Sequence, residues 1–384
     1  MINFFKKLKK VKYGRLNNID VIVIHDNDTL FIDKYILSPL KVKYYVFEPE
    51  NEIIINFKII FHSLRYFIQG NNFYLSYTKG LIKSSKALIT LSFVDDSNIV
   101  FNFAKSCNIA RNFAIQNGKR KRSQMESIHE EYGQNQKKFT LDNYFCYGSF
   151  EEEIFTKYNH HVNKFIPVGS FRNSVAQKEN NINNKYDICL VSCWKDINFI
   201  EDSKNSKLNR YVAKINKQID DYLLKFISEN PFSLVIALNG PKGGKDHNYY
   251  KKLFGKKADL IPRLNLSSYN SIYSSNMIIS TFSTLVVEAF GLGKKVLFID
   301  YSKERLYSSY KKGVWLLTSK GYSHFEKKIK KIINLKQSEW SNITSKYSEH
   351  LMKYDAGAPT YKKIQNELLI YLKNSKRYWK NFQQ

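Results

Sequence analysis

The stretch STFSTLVVEAFGLGKKVLFID, residues 280–300, places several hydroxyl groups and one glutamate between two apolar runs. The residues before it, NMIIS, and those that close it, KVLFID, have the composition of buried strands. Between them the apolar residues recur at helical spacing, and Gly291 and Gly293 stand where a helix should stop. The order of strand, hydroxyl-rich turn, helix and strand predicts a βαβ unit, which implies a parallel sheet.

The same alternation of strands and helices extends outward from this stretch in two blocks. The first block starts at DVIVI, residues 20–24, and the second at YDICLVSCW, residues 186–194. Between them lies the polar, Asn-rich stretch VAQKENNINNK, which has no apolar face and is typical of a linker. We therefore predict an α/β protein with an N-terminal Rossmann-like domain (1–176), a linker (177–185) and a C-terminal Rossmann-like domain with a helical tail (186–384).

Two Rossmann-like domains facing a central cleft, followed by a C-terminal helical tail, fit the GT-B glycosyltransferase architecture. In such sheets ligands bind beyond the carboxyl ends of the strands. The polar residues that follow each strand are therefore the candidate site residues.

The net charge is +27, from 61 Lys and Arg against 34 Asp and Glu, and it has three interpretations. Nucleic acid is not the expected partner, because the sequence has no zinc-finger spacing, no RNP-like aromatic strand and no evident reading helix. A Lys-rich composition without functional content is one alternative. An anionic inner-membrane surface is the other, favoured by FFKKLKKVK (4–12) and LKNSKRYWKNF (372–382), which mix aromatic residues with lysines.

The localisation is predicted from the hydrophobic pattern of the sequence and from its cysteines. No run of 18 apolar residues occurs, and the first residues have no apolar core followed by a cleavage site, so we expect neither a membrane span nor a secretory signal. None of the four cysteines forms a CxxC pair. We expect a reduced, cytoplasmic protein at the periphery of the inner membrane.

The turn at residues 281–284 is the first candidate site. Ser283 or Thr284 can cap the following helix, and the start of a helix attracts phosphate through its N–H groups and dipole. Thr281 adds a third hydroxyl, and Glu288, one turn further on, is placed to bind a ribose hydroxyl or a base. The alternative is an ordinary capped helix with an exposed glutamate.

At this point the sequence resembles a family, the bacterial surface-polysaccharide glycosyltransferases of O-antigen and capsule biosynthesis. STLVVEAFGLGKKVL is similar to their donor-nucleotide motif, including that of transferases for Kdo and nonulosonic acids. The matching segments keep the family's order between residues 20 and 300: DVIVIHDNDTLFIDKYIL, YVFEPENEIIINFKII, FAIQNGKR and FIPVGSFRNS. The loop ALNGPKGGKDH departs from the family, because it lacks the His-Pro pair of many relatives.

The resemblance implies a metal-independent GT-B glycosyltransferase with no cofactor beyond a nucleotide-sugar co-substrate. It implies transfer of a sugar, preferably a CMP-activated Kdo-like or nonulosonic acid, to a lipid-linked oligosaccharide acceptor. Three alternatives stay open: a UDP- or GDP-sugar donor, a CDP-polyol phosphotransferase, and a non-catalytic protein that binds anionic polymers.

Candidate catalytic residues follow the first strand in IHDNDT. His25, Asp26 and Asp28 stand where an acceptor-side base or a carboxylate nucleophile is expected, and Asp26 is the first choice. The alternative is an Asx turn after a strand.

Binding residues are predicted at the other strand ends. Gln116, Asn117 and Gly118 are candidates for acceptor binding, through amide groups and a tight turn. Five further residues are candidates for donor binding. Ser170 offers a hydroxyl, and Arg172 offers a guanidinium for a carboxylate or phosphate. Asn239 and Lys242 belong to a Gly-rich loop, and Tyr269 offers an aromatic ring for base stacking. For Tyr269 a core position is the alternative. No metal-ligand spacing occurs among the histidines, so no metal is expected.

Overall fold

The computed structural model describes residues 10–14, 16, 18–120, 138–179, 185–196, 206–281, 283–301 and 311–374. These residues divide into two compact units. The first contains residues up to 117, residues 138–175 and the residues from 355 onward. The second contains residues 118–120 and the described part of 176–354.

The strands of the first unit build one large parallel sheet and one small one. They are β1 (Lys10–Tyr13), β2 (Val21–Ile24), β3 (Tyr44–Phe47), β4 (Glu52–Ile55), β5 (Ile89–Ser92), β6 (Arg111–Ile115), β7 (Thr140–Cys146) and β8 (His161–Pro167). Among the described residues the large sheet has six strands in the order β3-β2-β5-β6-β7-β8, and β1 pairs with β4. All four residues of β2 are buried, because helices cover both faces of the sheet.

Six helices lie among the strands of the first unit in the described residues. They are α1 (Thr29–Ile32, continued by a π-helical turn at Asp33–Leu37), α2 (Phe57–Ile68), α3 (Phe73–Ser85), α4 (Asn98–Ala104), α5 (Ser149–Lys157) and α6 (Phe171–Glu179). Asn56 accepts a hydrogen bond from the Ile59 N–H at 2.9 Å, and Asn72 accepts one from Leu75 at 2.9 Å. These side chains satisfy N–H groups that the first helical turn leaves without partners.

The second unit repeats the same architecture. Its strands are β9 (Tyr186–Val191), β10 (Leu234–Ala237), β11 (Asp259–Ile261), β12 (Ser275–Ser280), β13 (Lys295–Ile299) and β14 (Leu316–Leu317). Its helices are α7 (Ser206–Glu229), α8 (Lys245–Phe254), α9 (Ser267–Tyr273), α10 (Thr284–Gly291), α11 (Tyr322–Asn334) and α12 (Gln337–Leu351), with a 3-10 turn at Gly255–Lys257. In the described part of this unit the strand order is β11-β10-β9-β12-β13-β14, and every pair is parallel.

Both sheets have a point at which the direction of strand addition reverses. In the first it lies between β2 and β5, and in the second between β9 and β12. Ligands of such sheets bind outside the carboxyl ends of the strands at this point. The residues after β2 and after β12 therefore occupy the positions where function is expected in each unit.

The predicted α/β fold is confirmed, and so is the βαβ unit at residues 280–300. It consists of β12, α10 and β13. Gly293, with φ +78°, ends the helix in the left-handed conformation, as predicted. Gly291 has another role: a Cβ there would lie 2.6 Å from Met352 Cε and 2.9 Å from the Met352 carbonyl oxygen, so it permits close packing after α12.

The C-terminal tail differs from the prediction, which gave all of it to the second domain. Helices α11 and α12 belong to the second unit, but α13 (Thr360–Asn374) packs on the first. Gln365 donates to the Tyr35 carbonyl oxygen at 2.6 Å, and Thr360 donates to that of Val168 at 2.8 Å. The apolar face of α13 is fully buried there, which explains why the chain returns to the first unit.

The predicted linker at 177–185 is described only at its ends. Helix α6 runs to Glu179, and residues 180–184 lie outside the described residues. In the part of the chain that is described, no helix combines the length and apolar character needed to cross a membrane.

Asp220 is a carboxyl group inside the second unit, on α7. It is 2% exposed and accepts hydrogen bonds from the hydroxyls of Tyr249 at 3.1 Å and Tyr250 at 3.4 Å. Burial raises the pKa of Asp220 to about 8, because the ionised form loses its hydration. In the unfolded chain an aspartate has a pKa of about 3.9.

We expect Asp220→Asn to gain stability relative to the unchanged protein as the pH rises from 5 to 8. The folded state holds a proton on Asp220 that the unfolded state releases, so the wild-type free energy of unfolding falls through this window. The difference between the two proteins should change by up to about 1.4 kcal/mol per pH unit. Urea unfolding at several pH values measures it.

Asp221→Asn is the matched control, since this neighbour is exposed and pairs with Lys217 at 2.7 Å. Its stability difference should stay nearly flat with pH. A flat difference for Asp220→Asn would mean that the buried carboxyl is ionised in the folded protein.

Candidate functional site

The turn after β12 is tied to the end of β9 by a chain of hydrogen bonds. Ser280 Oγ donates to the Val191 carbonyl oxygen at 2.9 Å. Thr281 Oγ1 donates to Asn216 Oδ1 at 3.0 Å, and Asn216 Nδ2 donates to the Cys193 carbonyl oxygen at 2.6 Å. Asn216 thus fixes the two strand ends at the point where the sheet reverses. The sequence prediction missed it, although an Asn on the buried face of a long amphipathic helix was a usable signal.

The start of α10 brings three predicted residues together. Ser283 caps the helix, its Oγ accepting from the Leu285 N–H at 3.3 Å, and Thr284 Oγ1 accepts from the Lys119 N–H at 3.0 Å. Both side chains are partly exposed, whereas Thr281 is 5% exposed and bound to Asn216. Ser283 and Thr284 are therefore the hydroxyls that can meet a ligand at this helix end.

Gly118 lies in the second unit against this helix end, apart from Gln116 and Asn117 in the first. A Cβ at Gly118 would lie 3.2 Å from Thr284 Oγ1, so a small residue is favoured. The structure thus places Gly118, which follows the predicted acceptor residues Gln116 and Asn117 in the chain, beside the predicted donor residue Thr284.

Glu288 is buried, contrary to the alternative of an exposed glutamate. It is 2% exposed, on the second turn of α10. Burial raises the pKa of Tyr273, and the nearby Glu288 carboxylate raises it further. Glu288 lies deeper than the hydroxyls of Ser283 and Thr284. It can therefore accept a hydrogen bond only from a ligand that reaches into the second unit.

The Gly-rich loop after β10 is organised by Asp246, another residue that sequence reasoning missed. Asp246 Oδ2 accepts from the N–H groups of Asn239 at 3.0 Å and Gly240 at 2.8 Å. Arg263 donates to Asn239 Oδ1 at 3.3 Å, so part of the Asn239 amide is already used. Lys242 is exposed at the tip and remains a phosphate-binding candidate.

Tyr269 is a core residue, so the prediction that it stacks on a base is corrected. It is 5% exposed, and its ring centroid lies 6.1 Å from that of Tyr273. Helix α9 turns this side chain inward because its apolar ring gains more from burial than from solvent contact.

In the first unit, the end of β2 presents the predicted acidic cluster. His25 has φ +68° and is 8% exposed, and burial lowers the pKa of its imidazole. Asp26 is exposed, and its N–H hydrogen-bonds to the carboxylate of Glu48. Burial and the Asp26 charge raise the pKa of Glu48. The sequence prediction missed this residue, although it directly follows the neighbouring strand β3. Asp26 is the solvent-facing carboxylate of this group.

Asp28 and Arg172 were predicted in different roles, but the structure pairs them. Arg172 Nε donates to Asp28 Oδ2, and its guanidinium lies 4.8 Å from the centre of the Phe93 ring. Asp28 does not cap α1 with its side chain. An arginine held by a carboxylate and a ring is not free for a donor group.

Ser170 and Gln116 also serve the fold. Ser170 is 3% exposed and accepts from the Asn173 N–H at 3.2 Å, which caps α6. Gln116 is 1% exposed; it donates to Glu151 at 3.0 Å and accepts from the Tyr147 N–H at 2.6 Å. The predicted ligand contacts of both side chains are therefore corrected. Asn117 is partly exposed, and its N–H donates to Asp95 at 3.4 Å.

Across the described ranges, no group of three or more His, Cys, Asp and Glu side chains is placed to hold a metal ion.

Comparison with protein families identifies one match. A family model described as "putative O-antigen biosynthesis protein" covers residues 113–369, which is more than half of the chain. No curated protein matches the sequence.

Solved structures with the same fold have low sequence identity. A UDP-GlcNAc 2-epimerase from Neisseria meningitidis, bound to UDP-GlcNAc, is 13% identical with a TM-score of 0.51 and covers 91% of this chain and 98% of its own. A glycosyltransferase from Rickettsia africae is 13% identical with a TM-score of 0.50, covering 94% and 100%. The wall teichoic acid polymerase TagF, solved with CDPG, is 11% identical with a TM-score of 0.51, covering 93% and 91%. These likenesses confirm the GT-B fold, with two Rossmann-like domains.

We expect a double-mutant cycle of Asp28→Asn and Arg172→Met to give a coupling energy of about 1–3 kcal/mol, because the hydrogen bond is charge-assisted and partly buried. The exposed pair Lys164 and Glu367, at 3.2 Å, is the control and should give about 0.5 kcal/mol or less. Urea unfolding of the four variants in each cycle measures both values. Equal coupling in the two cycles would leave Arg172 available to a ligand.

Proposed function

The chain belongs to this O-antigen biosynthesis protein family, and we propose that it is a glycosyltransferase that transfers a sugar from a nucleotide donor to a growing surface glycan. The observation that carries the proposal is the helix start at Ser283 and Thr284, at the point where the second sheet reverses. The family supplies the biological context, and the helix start supplies the chemistry of phosphate binding.

The donor diphosphate or monophosphate is proposed to bind at the start of α10. Its negative charge is favoured there by the helix dipole and by the hydroxyls of Ser283 and Thr284. Glu288 then accepts a hydrogen bond from the nucleoside. When the glycosidic bond to phosphate breaks, the negative charge that develops on the leaving group is stabilised at the same helix end.

Asp26 is proposed as the base on the acceptor side. The acceptor hydroxyl oxygen attacks the anomeric carbon, the bond from that carbon to the phosphate oxygen breaks, and Asp26 takes the hydroxyl proton. Asp26 is the exposed carboxylate of its cluster, whereas Asp28 is held by Arg172.

The donor is proposed to be a CMP-linked Kdo-like or nonulosonic sugar, and the acceptor a lipid-linked oligosaccharide at the cytoplasmic face of the inner membrane. The motif at residues 283–297 supports the donor by its resemblance. A UDP-sugar or a CDP-polyol is the second candidate, because the epimerase of similar fold binds UDP-GlcNAc and TagF was solved with CDPG.

We expect CMP to raise the melting temperature in a screen that also contains CDP, UMP, UDP, GDP and ADP. A ligand at 100 times its dissociation constant stabilises the folded state by about 2.7 kcal/mol. Ser283→Ala with Thr284→Val should remove most of this shift, because both hydroxyls are lost from the helix start. Glu288→Gln should weaken it while keeping the shape of the side chain.

The control variant, Ser345→Ala with Thr318→Val, removes two exposed hydroxyls elsewhere in the second unit. This variant should keep the full nucleotide shift. A shift with UDP or CDP alone would replace the proposed donor but keep the site. If no nucleotide stabilises the protein, and it instead binds anionic polymers in a salt-dependent way, the transferase proposal fails.

Asp26→Asn should retain the nucleotide shift and lose transfer activity by a factor of about 10² to 10⁴, the usual contribution of a general base. Asp33→Asn, a change in the same unit outside the acidic cluster, is the control. Release of free nucleotide from the donor that the screen identifies, in the presence of lipid-linked acceptor, measures the rate. Unchanged transfer by Asp26→Asn would exclude it as the base.

A further inference from the structure

Helix α2 turns a broad apolar face away from the protein. Six large apolar side chains point outward on it, each about half exposed or more: Phe57 (82%), Ile60 (47%), Phe61 (57%), Leu64 (56%), Phe67 (54%) and Ile68 (83%). At 100° per residue these positions cluster on one side, opposite the buried Ile59. An exposed apolar face of this size marks an interaction surface in a folded protein.

The orientation of α2 is fixed by its close packing on α3. A Cβ at Gly80 of α3 would lie 2.2 Å from Ser63 Oγ and 2.9 Å from the Ile59 carbonyl oxygen, so the two helices touch along their backbones. Ile59 is 1% exposed on this inner side. The helix therefore cannot rotate its phenylalanines into the core without losing this contact.

A groove runs beside the exposed face. It has a volume of about 340 Å³ and lies between α2, β4 and α3. Ile60, Leu64 and Phe67 of α2 form one wall, and Ile53, Ile55 and Phe73 contribute to the others. Its lining is almost entirely apolar, so it suits a hydrocarbon chain better than a sugar or a nucleotide.

The two helices that form this face, α2 and α3, carry charges of a single sign. Residues 53–94 contain five Lys and Arg and no Asp or Glu. Burial lowers the pKa of His62, and the nearby cations Lys83, Arg65 and Lys58 lower it further. Within the described residues, these three cations form no ion pair with a carboxylate.

We propose that α2 and its groove bind the surface of an anionic phospholipid bilayer. The helix lies in the plane of the interface, with its phenylalanines and leucine among the acyl chains and an acyl chain in the groove. Lys58, Arg65 and Lys83 meet the lipid phosphates. A second copy of the chain is a poorer occupant, because a two-fold contact would bring the cations of both copies together.

This surface is independent of the proposed nucleotide site, and it differs from the membrane contacts predicted at the two ends of the sequence. Most of residues 4–12 and 372–382 lies outside the described residues. Helix α2 and its cations belong wholly to the first unit, whereas the start of α10 belongs to the second.

Sedimentation with vesicles tests the proposal on the full chain. The wild-type protein should bind vesicles of phosphatidylcholine with 30% phosphatidylglycerol, and bind pure phosphatidylcholine at least tenfold less. Phe61→Gln with Leu64→Gln should lower binding to the anionic vesicles about tenfold or more. Lys58→Gln, Arg65→Gln and Lys83→Gln together should lower it about a hundredfold, roughly fivefold for each cation, and abolish most of its salt dependence.

Matched variants elsewhere show whether the effect is local. Ile343→Gln with Ile370→Gln removes exposed apolar residues from α12 and α13, and Lys312→Gln, Lys346→Gln and Lys353→Gln together remove the same positive charge. Both should bind vesicles as the wild type does. All variants should keep the nucleotide-dependent melting shift, so failure here is distinguishable from failure of the proposed function.

Two outcomes would overturn the proposal. One is vesicle binding that the α2 variants leave unchanged. The other is a dimer in solution that Phe61→Gln with Leu64→Gln dissociates, without lipid binding by the wild type, which would make the face a contact between two copies.

Discussion

Every strand pair in both large sheets is parallel, and this constraint governs where polar chemistry can occur. Strands covered by helices on both faces are mostly apolar, as the buried residues of β2, VIVI, and the centres of β9 and β12 show. The few polar side chains inside the strands, such as Thr90 and Asn112, bond to one another, so those available to a ligand lie at the strand ends. Parallel pairing brings all carboxyl ends to one edge. The reversal of strand order leaves a gap between diverging connections at that edge. Both candidate regions, after β2 and after β12, follow from this geometry.

At those edges the fold itself uses most of the polar groups. A buried amide or carboxylate without a partner costs free energy, so Gln116, Asp246, Asn216 and Arg172 each hold a strand end or a loop in place. What remains for ligands is a smaller set that is exposed or partly exposed: Asp26 and Asn117 in the first unit, and Lys242, Ser283 and Thr284 in the second. The structural residues matter to function indirectly, because they fix the backbone that presents this smaller set.

Helix α2 differs from the other helices that cover the sheets, because it keeps large apolar side chains exposed to solvent. Its inner side is anchored by close backbone packing at Gly80, while its outer side keeps large apolar groups in water at a cost in free energy. In the proposed membrane contact, this free energy is recovered when the apolar groups are buried among acyl chains. Lys58, Arg65 and Lys83 would favour an anionic surface for this contact.

The sequence by itself determined the fold class and the βαβ unit at residues 280–300, because strand and helix periodicity and the glycine stop are local signals. It also located the strand ends at which chemistry can occur. Only the tertiary structure decided which side chains at those ends are available: Arg172 is paired with Asp28, Gln116 with Glu151, and Tyr269 is in the core. The attachment of α13 to the first unit and the outward face of α2 were likewise decided by packing between distant segments, since an amphipathic pattern shows that a helix has an apolar face but not what covers it.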